Sequence, residues 1–160
     1  MFVGEKMGLI SLISIICILI DRISKILIVN NINVYESISL INNFFSLTYV
    51  KNYGAAWSIL SGNRLFLIIT GICALILIFK YLIKDKNISK INMITYGLLI
   101  GGIIGNLIDR IVFGYVIDFL DFLIIGYNFP IFNFADTFIV ISVFLIIIDI
   151  FRGESNEVSS

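Results

Sequence analysis

The sequence predicts an all-α integral membrane protein with four transmembrane helices and a small extracytoplasmic β element. Of its 160 residues, 59% are hydrophobic and 14% are charged, and the mean hydropathy is +1.07. A soluble domain is closer to roughly half apolar and about a quarter charged. A bilayer core takes about 20 mostly apolar residues per helix. Four stretches meet this requirement, at about 8–29, 65–83, 91–112 and 135–151.

The first apolar stretch has a competing interpretation as a secretory signal peptide. No small-residue cleavage site follows it, and Asp21 and Arg22 stand there instead, so we interpret it as a transmembrane helix. No Pro/Gly/Ser-rich linker divides the chain. A single membrane-embedded domain over residues 1–160 is therefore expected.

Basic residues predict the orientation in the membrane. The link between the second and third spans carries Lys84, Lys86 and Lys90, whereas the connection 113–134 contains no Lys or Arg. Cytoplasmic loops are enriched in basic residues. Both termini are therefore predicted to be cytoplasmic, and the outer surface is predicted to comprise segments 30–64 and 113–134.

The two outer segments differ in pattern. Alternation of polar and apolar residues in Ser39–Leu40 and Phe45–Tyr49 predicts short strands in the first segment. The second segment is crowded with aromatic residues, as is typical of a membrane interface: Phe119, Phe122, Tyr127, Phe129 and Phe132.

The composition excludes several chemistries. Histidine is absent, which excludes Ser-His and Cys-His hydrolases, HExxH metalloproteases and nearly every zinc site. Cys17 and Cys73 lie in separate apolar stretches without metal-ligand spacing, and we interpret them as core or lipid-facing residues. The formal net charge is zero, so no nucleic-acid partner is indicated. No metal or cofactor is predicted.

The first span contains an unusual pair of charges. A charge near the middle of a spanning helix costs about 3 kcal/mol on insertion scales, so it normally needs a partner or a task. Asp21 and Lys25 are four residues apart on one helical face. This spacing favours an intrahelical ion pair that supports the fold.

The third span carries both small and polar residues. Its small-xxx-small ridge would let another helix approach closely, and consists of Gly97, Gly101 and Gly105. Packing does not explain Asn106, Asp109 and Arg110, which must line a hydrated cleft or form a buried network. Arg110 has two open interpretations, namely orienting a substrate backbone or pairing with Asp109.

Two aspartates are the candidate catalytic pair. Asp118 follows the third span in an apolar setting, and Asp136 falls in the first turn of the fourth helix with Asn133 as a plausible N-cap. Taken singly, Asp118 could be an interfacial loop residue, and Asp136 could serve only the helix dipole. If the third and fourth spans pack antiparallel, however, both aspartates reach the same outer end.

Two carboxylates that share a site tend to hold one proton between them. One aspartate could then deprotonate a water that attacks a carbonyl, while the other protonates the carbonyl oxygen and the leaving amine. The helix dipole predicts that Asp136 is the more acidic member and Asp118 the protonated one.

Four short blocks of the sequence resemble the lipoprotein signal peptidase family. They occur in the family's order and are Asp21–Lys25, Asn52–Trp57, Gly101–Arg110, and Val116–Phe119 followed by Phe132–Asp136. Ile103 and Phe134 depart from the usual residues, and neither is a polar position of the motifs. Together the blocks cover almost the whole chain.

The resemblance implies an aspartyl endopeptidase that removes the signal peptide of prolipoproteins just before a diacylglyceryl-modified cysteine. It implies action at the outer face of the bacterial cytoplasmic membrane, contact with membrane lipids, and inhibition by cyclic peptide antibiotics such as globomycin. The matching positions imply Asp118 and Asp136 as catalytic residues. By the same match, substrate binding falls to Asn52, Gly54, Asn106, Arg110 and Asn133, and structural support to Asp21, Lys25 and Asp109.

Three other classes are weighed against this one. A proton relay through several carboxylates would need them at different depths, whereas here they cluster near one face. A scaffold whose polar residues only join helices would leave Asn52–Trp57 unexplained. An intramembrane protease of the presenilin or prepilin-peptidase type would carry a Gly-x-Gly-Asp signature, which the sequence lacks.

Overall fold

The computed structural model describes residues 3–55, 59–84 and 88–158, and within these ranges it contains helices and one main antiparallel sheet. Trp57 of the second sequence block and Lys86 of the basic link lie outside the described residues. In chain order the elements are α1 (Val3–Asn31), β1 (Ser37–Ile41), β2 (Phe45–Asn52), α2 (Arg64–Lys84), α3 (Lys90–Val112), β3 (Val116–Ile124), β4 (Tyr127–Asn128) and α4 (Phe134–Val158).

Three helices in the described ranges are long and apolar enough to cross a membrane: Arg64–Lys84, Lys90–Val112 and Phe134–Phe151. These helices coincide with three of the predicted spans. Helix α1 has 29 residues, but it is not among those three. Its crossing of the membrane therefore stays a prediction.

Helix α3 is central because glycines let two other helices approach it. A Cβ at Gly101 would lie 2.6 Å from the Cβ of Cys17 in α1. On the neighbouring stripe, a Cβ at Gly102 would lie 2.5 Å from the carbonyl oxygen of Ala135 in α4. The glycine ridge thus lets another helix approach closely, as predicted, and that helix is α1. Gly102 lets the start of α4 approach α3.

Helices α3 and α4 run antiparallel, as predicted. Near the start of α3, Asn92 Nδ2 lies 2.8 Å from Asp149 Oδ2 late in α4. Near the end of α3, Asn106 Nδ2 lies 2.7 Å from Asp136 Oδ1 in the first turn of α4. Strand β3 of the sheet follows the end of α3, whereas Lys90 is the first residue of α3. The sheet and the described basic residues Lys84 and Lys90 therefore lie at opposite ends of the bundle.

The sheet has the strand order β1-β2-β3-β4, with antiparallel neighbours throughout. The register of β2 and β3 places Val50 opposite Asp118, and Asn52 opposite Val116. The sheet packs on the C-terminal end of α1, in a core formed by Ile28, Ile32, Tyr49, Ile117, Phe119 and Leu120. The sheet therefore fixes the strand that carries Asp118 to the end of α1.

The strands predicted between residues 39 and 49 are confirmed, but the interpretation of segment 113–134 as an interfacial connection is wrong in part. This segment contains the nine-residue strand β3, and Phe119 is 2% exposed within the core. The first five residues of β3 are all buried. A strand buried on both faces lacks polar-apolar alternation, so its pattern does not reveal it.

Candidate active site

Asp118 is the third residue of β3, and a residue of the adjacent strand β2 donates a hydrogen bond to its carboxyl group. Its side chain is nearly inaccessible, because the residue is 2% exposed. Asn52, the last residue of β2, donates from Nδ2 to Asp118 Oδ2 at 2.8 Å. The pairing of β2 with β3 thus brings an amide donor to the carboxyl group.

Asp136 is oriented by the cap of α4. The Asn133 Oδ1 atom accepts a hydrogen bond from the backbone N–H of Asp136 at 2.9 Å. In return, Asp136 Oδ2 accepts from the backbone N–H of Asn133 at 3.2 Å. This reciprocal pair is a capping-box arrangement, and it confirms Asn133 as the predicted N-cap.

The side chain of Asn133 joins the two aspartates. While its oxygen caps α4, its Nδ2 donates to Asp118 Oδ1 at 2.7 Å. Asn106 completes the set, because its Nδ2 donates to Asp136 Oδ1 at 2.7 Å and its Oδ1 accepts from Asn133 Nδ2 at 3.2 Å. Asp118 and Asp136 therefore lie on either side of one buried asparagine side chain.

The electrostatics of Asp118 favour its protonated form. Burial, followed by the charge of Asp136, raises the pKa of Asp118 from its ordinary 3.8 to about 7, against hydrogen bonds from Asn52 and Asn133 and the charge of Lys25. At neutral pH this carboxyl group is thus poised between its two forms. A proton shared by paired carboxylates is what acid-base chemistry without a metal requires.

Arg110 reaches the surface segment beside the dyad. Its Nη2 donates to the carbonyl oxygen of Gly54 at 3.0 Å. The alternative in which Arg110 pairs with Asp109 is wrong, because the ion-pair partners of Asp109 are Lys25, at 2.8 Å, and Arg22. This hydrogen bond joins the outer segment 30–64 to the end of α3.

A cluster of buried charged side chains lies next to the candidate pair Asp118 and Asp136. The predicted ion pair is present, with Lys25 Nζ 2.7 Å from Asp21 Oδ2. The side chains of Asp21, Lys25 and Asp109 are all 0% exposed. Sequence reasoning gave no role to Arg22, although its place inside the Asp21–Lys25 block was a signal.

A cavity of about 720 Å³ opens beside the dyad. Its polar lining includes Asp118 and Asp136 together with Asn52, Asn106 and Arg110. Its other walls are largely apolar and come from α2, α3, α4 and the segment before α4, including Leu67, Gly71, Ile103, Leu107, Phe129, Pro130, Ile131, Phe132, Ile139, Val140 and Ile141. The structure thus brings four of the five predicted binding residues around the candidate pair, and Gly54 is tied to them through Arg110.

Apolar helices and paired, amide-held carboxyl groups define the class of the protein, a membrane enzyme of the aspartic peptidase type. The profile of the family described as Signal peptidase (SPase) II matches residues 13–152. Proteins of Staphylococcus aureus strains JH9 and Newman, both called lipoprotein signal peptidase, are each 39% identical over 156 residues, which is 98% of this chain and 93% of theirs. The chain belongs to the signal peptidase II family.

Solved structures agree with this assignment. A bacterial membrane enzyme determined by the in meso method at 2.3 Å resolution has a TM-score of 0.87 and 38% identity, over 97% of this chain and 92% of its own. A second such structure, at 1.9 Å resolution, has a TM-score of 0.81 and 38% identity, over 93% and 94% of the two chains. The resemblance seen in the four sequence blocks is therefore confirmed at the level of family and fold.

Proposed function

We propose that this signal peptidase II removes the signal peptide of prolipoproteins with Asp118 and Asp136 as its catalytic pair. The observation that carries the assignment is the side chain of Asn133. Its Oδ1 accepts a hydrogen bond from the backbone N–H of Asp136 at 2.9 Å, and its Nδ2 donates to Asp118 Oδ1 at 2.7 Å. Two carboxyl groups held on one asparagine, and lining one cavity, can act on the same substrate bond.

The proposed reaction uses the two aspartates in different protonation states. Asp136, at the positive end of the dipole of α4, is the ionised member and deprotonates a water molecule. Asp118, whose pKa is raised to about 7 by burial and by the charge of Asp136, carries the proton. It protonates the scissile carbonyl oxygen as the water attacks, and the leaving amine then takes a proton from the dyad.

The surroundings of the dyad suit a lipid-modified peptide. The apolar walls of the 720 Å³ cavity match an apolar signal peptide and the acyl chains of a diacylglyceryl-cysteine. Asn52, Gly54 and Arg110 would position the peptide backbone from the surface segment, while Asn106 and Asn133 hold the acids. We expect cleavage just before the modified cysteine, and expect globomycin to compete for the same cavity.

We further propose that α1 is a fourth span and that the site faces outward from the bacterial cytoplasmic membrane. Apolar side chains are exposed along α1, such as Leu12 at 55%, Ile16 at 47% and Ile23 at 56%, as expected for contact with lipid. The basic residues Lys84 and Lys90 lie at the end of the bundle away from the sheet. The positive-inside rule then places both termini in the cytoplasm.

The test is cleavage of a diacylglyceryl-modified prolipoprotein by purified protein. We expect Asp118→Asn and Asp136→Asn each to abolish cleavage while keeping the protein folded, because an amide can neither accept nor donate the transferred proton. The matched control is Asp121→Asn. Asp121 lies on the same strand, but its carboxylate accepts a hydrogen bond of 2.6 Å from Thr48 and does not line the cavity. It should retain cleavage. Normal turnover by either dyad variant would remove the mechanism.

A further inference from the structure

Four charged side chains form a cluster between α1 and α3, and we name Asp21, Arg22, Lys25 and Asp109 the charge clamp. Lys25 Nζ lies 2.7 Å from one carboxylate and 2.8 Å from the other. Arg22 pairs with the remaining oxygen of Asp109 and is 18% exposed at its side chain. Burying such ions costs several kcal/mol each, and apolar residues often pack as stably. Stability alone therefore does not explain the cluster.

The two carboxylates of the charge clamp also reach out to the backbone of the site. Asp21 Oδ1 accepts a hydrogen bond from the backbone N–H of Ala135 at 3.1 Å. Asp109 Oδ2 accepts from the backbone N–H of Ile117 at 3.2 Å. These donors immediately precede Asp136 and Asp118 in the sequence. Each acid of the charge clamp thus holds the chain next to one acid of the dyad.

Lys25 makes a further contact, with a side chain that binds the dyad. Its Nζ lies 3.4 Å from Asn106 Oδ1. The other end of this amide, Nδ2, donates to Asp136 Oδ1 at 2.7 Å. The cation therefore favours the amide orientation in which the NH₂ group faces Asp136.

We propose that the charge clamp sets the separation and orientation of the two catalytic aspartates, with Lys25 as a positioning residue shared between them. This inference deepens the proposed function and rests on Asp118 and Asp136 being the catalytic pair. The charge clamp links four elements, because α1 supplies the cation, and the acids of α1 and α3 hold α4 and β3. Movement of Lys25 would thus be transmitted to both aspartates.

The charge clamp also acts on the proton of the dyad. The charge of Lys25 opposes burial and the charge of Asp136, which raise the pKa of Asp118. Removing this cation should raise that pKa, so that Asp118 keeps its proton to higher pH. Lys25 pairs with Asp21 of α1 and Asp109 of α3, and its charge acts on Asp118 of β3 and Asp136 of α4. Two other cations act on the same acids: Arg22 of α1 pairs with Asp109, and Arg110 of α3 interacts with all three of Asp109, Asp118 and Asp136.

The test is the double variant Asp21→Asn with Lys25→Met, which removes one positive and one negative charge together. Asp109 keeps Arg22, and the new asparagine can still accept from the Ala135 N–H, so no buried charge is left alone. We expect kcat to fall about 10- to 100-fold, as for a small misplacement of reacting groups, with KM little changed. The alkaline limb of the pH–rate profile should move to higher pH.

The matched control is Ser14→Ala, which removes a buried contact between the same two helices, at 3.0 Å to the carbonyl oxygen of Gly97. It should lower the melting temperature without changing kcat or the pH profile. If the double variant fails to fold, the single variant Arg22→Gln replaces it as the test. In this variant the buried carboxylate of Asp109 still has Lys25 as its ion-pair partner. A lower kcat at unchanged KM would support the charge clamp.

The two levels of the proposal fail in different ways. If Asp118→Asn and Asp136→Asn are inactive, but the folded double variant has the wild-type kcat and pH profile, the role of the charge clamp is overturned and the dyad stands. The same holds for wild-type kinetics in Arg22→Gln. If either dyad variant cleaves normally, the proposed function itself is overturned.

Discussion

At the scale of single residues, the site is built from amides that hold acids. Asn52, Asn106 and Asn133 each place an NH₂ group within 2.8 Å of a carboxylate oxygen of the dyad. An amide compensates a buried carboxyl group without adding charge, so the dyad can keep one proton. A lysine or arginine in direct contact would instead favour ionisation of both acids.

The raised pKa of Asp118 predicts a pH dependence of stability. Burial, followed by the charge of Asp136, brings this pKa to about 7, so the folded protein holds the proton more tightly than the unfolded chain, where the pKa is about 3.9. The resulting stabilisation is complete below about pH 4 and is lost as pH rises through about 7, on the order of 4 kcal/mol. The variant Asp118→Asn should not lose stability in this way as the pH rises, because an asparagine side chain does not titrate.

Thermal unfolding in detergent micelles measures this effect. We expect the melting temperature of Asp118→Asn, relative to wild type, to rise between about pH 5 and about pH 8. The comparison across pH cancels the constant cost of changing the hydrogen bonds to Asn52 and Asn133. A difference that is the same at every pH would show that Asp118 is not protonated abnormally in the folded protein.

At the scale of elements, the position of Asp136 depends on how closely α4 approaches α3. Gly102 permits this approach, because a Cβ there would meet the carbonyl oxygen of Ala135 at 2.5 Å. Real Cβ atoms do not come so close to a backbone atom, so one helix would have to move. Asp136 is the next residue after Ala135, and its bond to Asn106 crosses the same contact.

Gly102→Ala is therefore expected to impair both stability and cleavage. Overpacking should cost about 1–3 kcal/mol, and the displaced first turn of α4 should lengthen the bond between Asn106 and Asp136. Melting temperature and kcat are the measurements. The control is Gly8→Ala in α1, where an added Cβ meets nothing within 4 Å, and which should keep full activity. Wild-type kcat in Gly102→Ala would mean that this approach does not position the acid.

At the scale of the whole molecule, the sheet and the basic residues Lys84 and Lys90 occupy opposite ends of the bundle, so membrane topology decides on which side of the membrane the chemistry occurs. Helix α3 passes from Lys90 to the sheet, and the candidate site lies where it ends. A site at the outer end would meet substrates after their export. A site at the inner end would meet them before it.

Cysteine labelling tests this orientation and the fourth span together. In a background with Cys17 and Cys73 replaced by alanine, Ser39→Cys in β1 should react with a membrane-impermeant maleimide in intact cells. Lys84→Cys at the end of α2 should react only after permeabilisation, and so should Glu5→Cys near the start of α1. Labelling of both Glu5→Cys and Ser39→Cys in intact cells would show that α1 does not cross the membrane.

Much of the molecule follows from local pattern. Apolar length predicted the spans, and three of the described helices are long and apolar enough to cross a membrane. A helix satisfies its backbone hydrogen bonds internally, so its own composition is enough to recognise it. The Asp21–Lys25 pair and the Asn133 cap were also predictable, since their partners lie within four residues. Strand β3 was not, because burial on both faces removes its alternation.

By itself the sequence determined the family, the helices and the identity of the candidate acids. Only the tertiary structure decided which partners those acids have: Asp109 binds Arg22 and Lys25 rather than Arg110, and Asn133 stands between Asp118 and Asp136. The physical reason is distance along the chain. Contacts such as Asp21 to Ala135 join residues 114 positions apart, and they depend on how α1, α3, α4 and the sheet pack together, which no local pattern encodes.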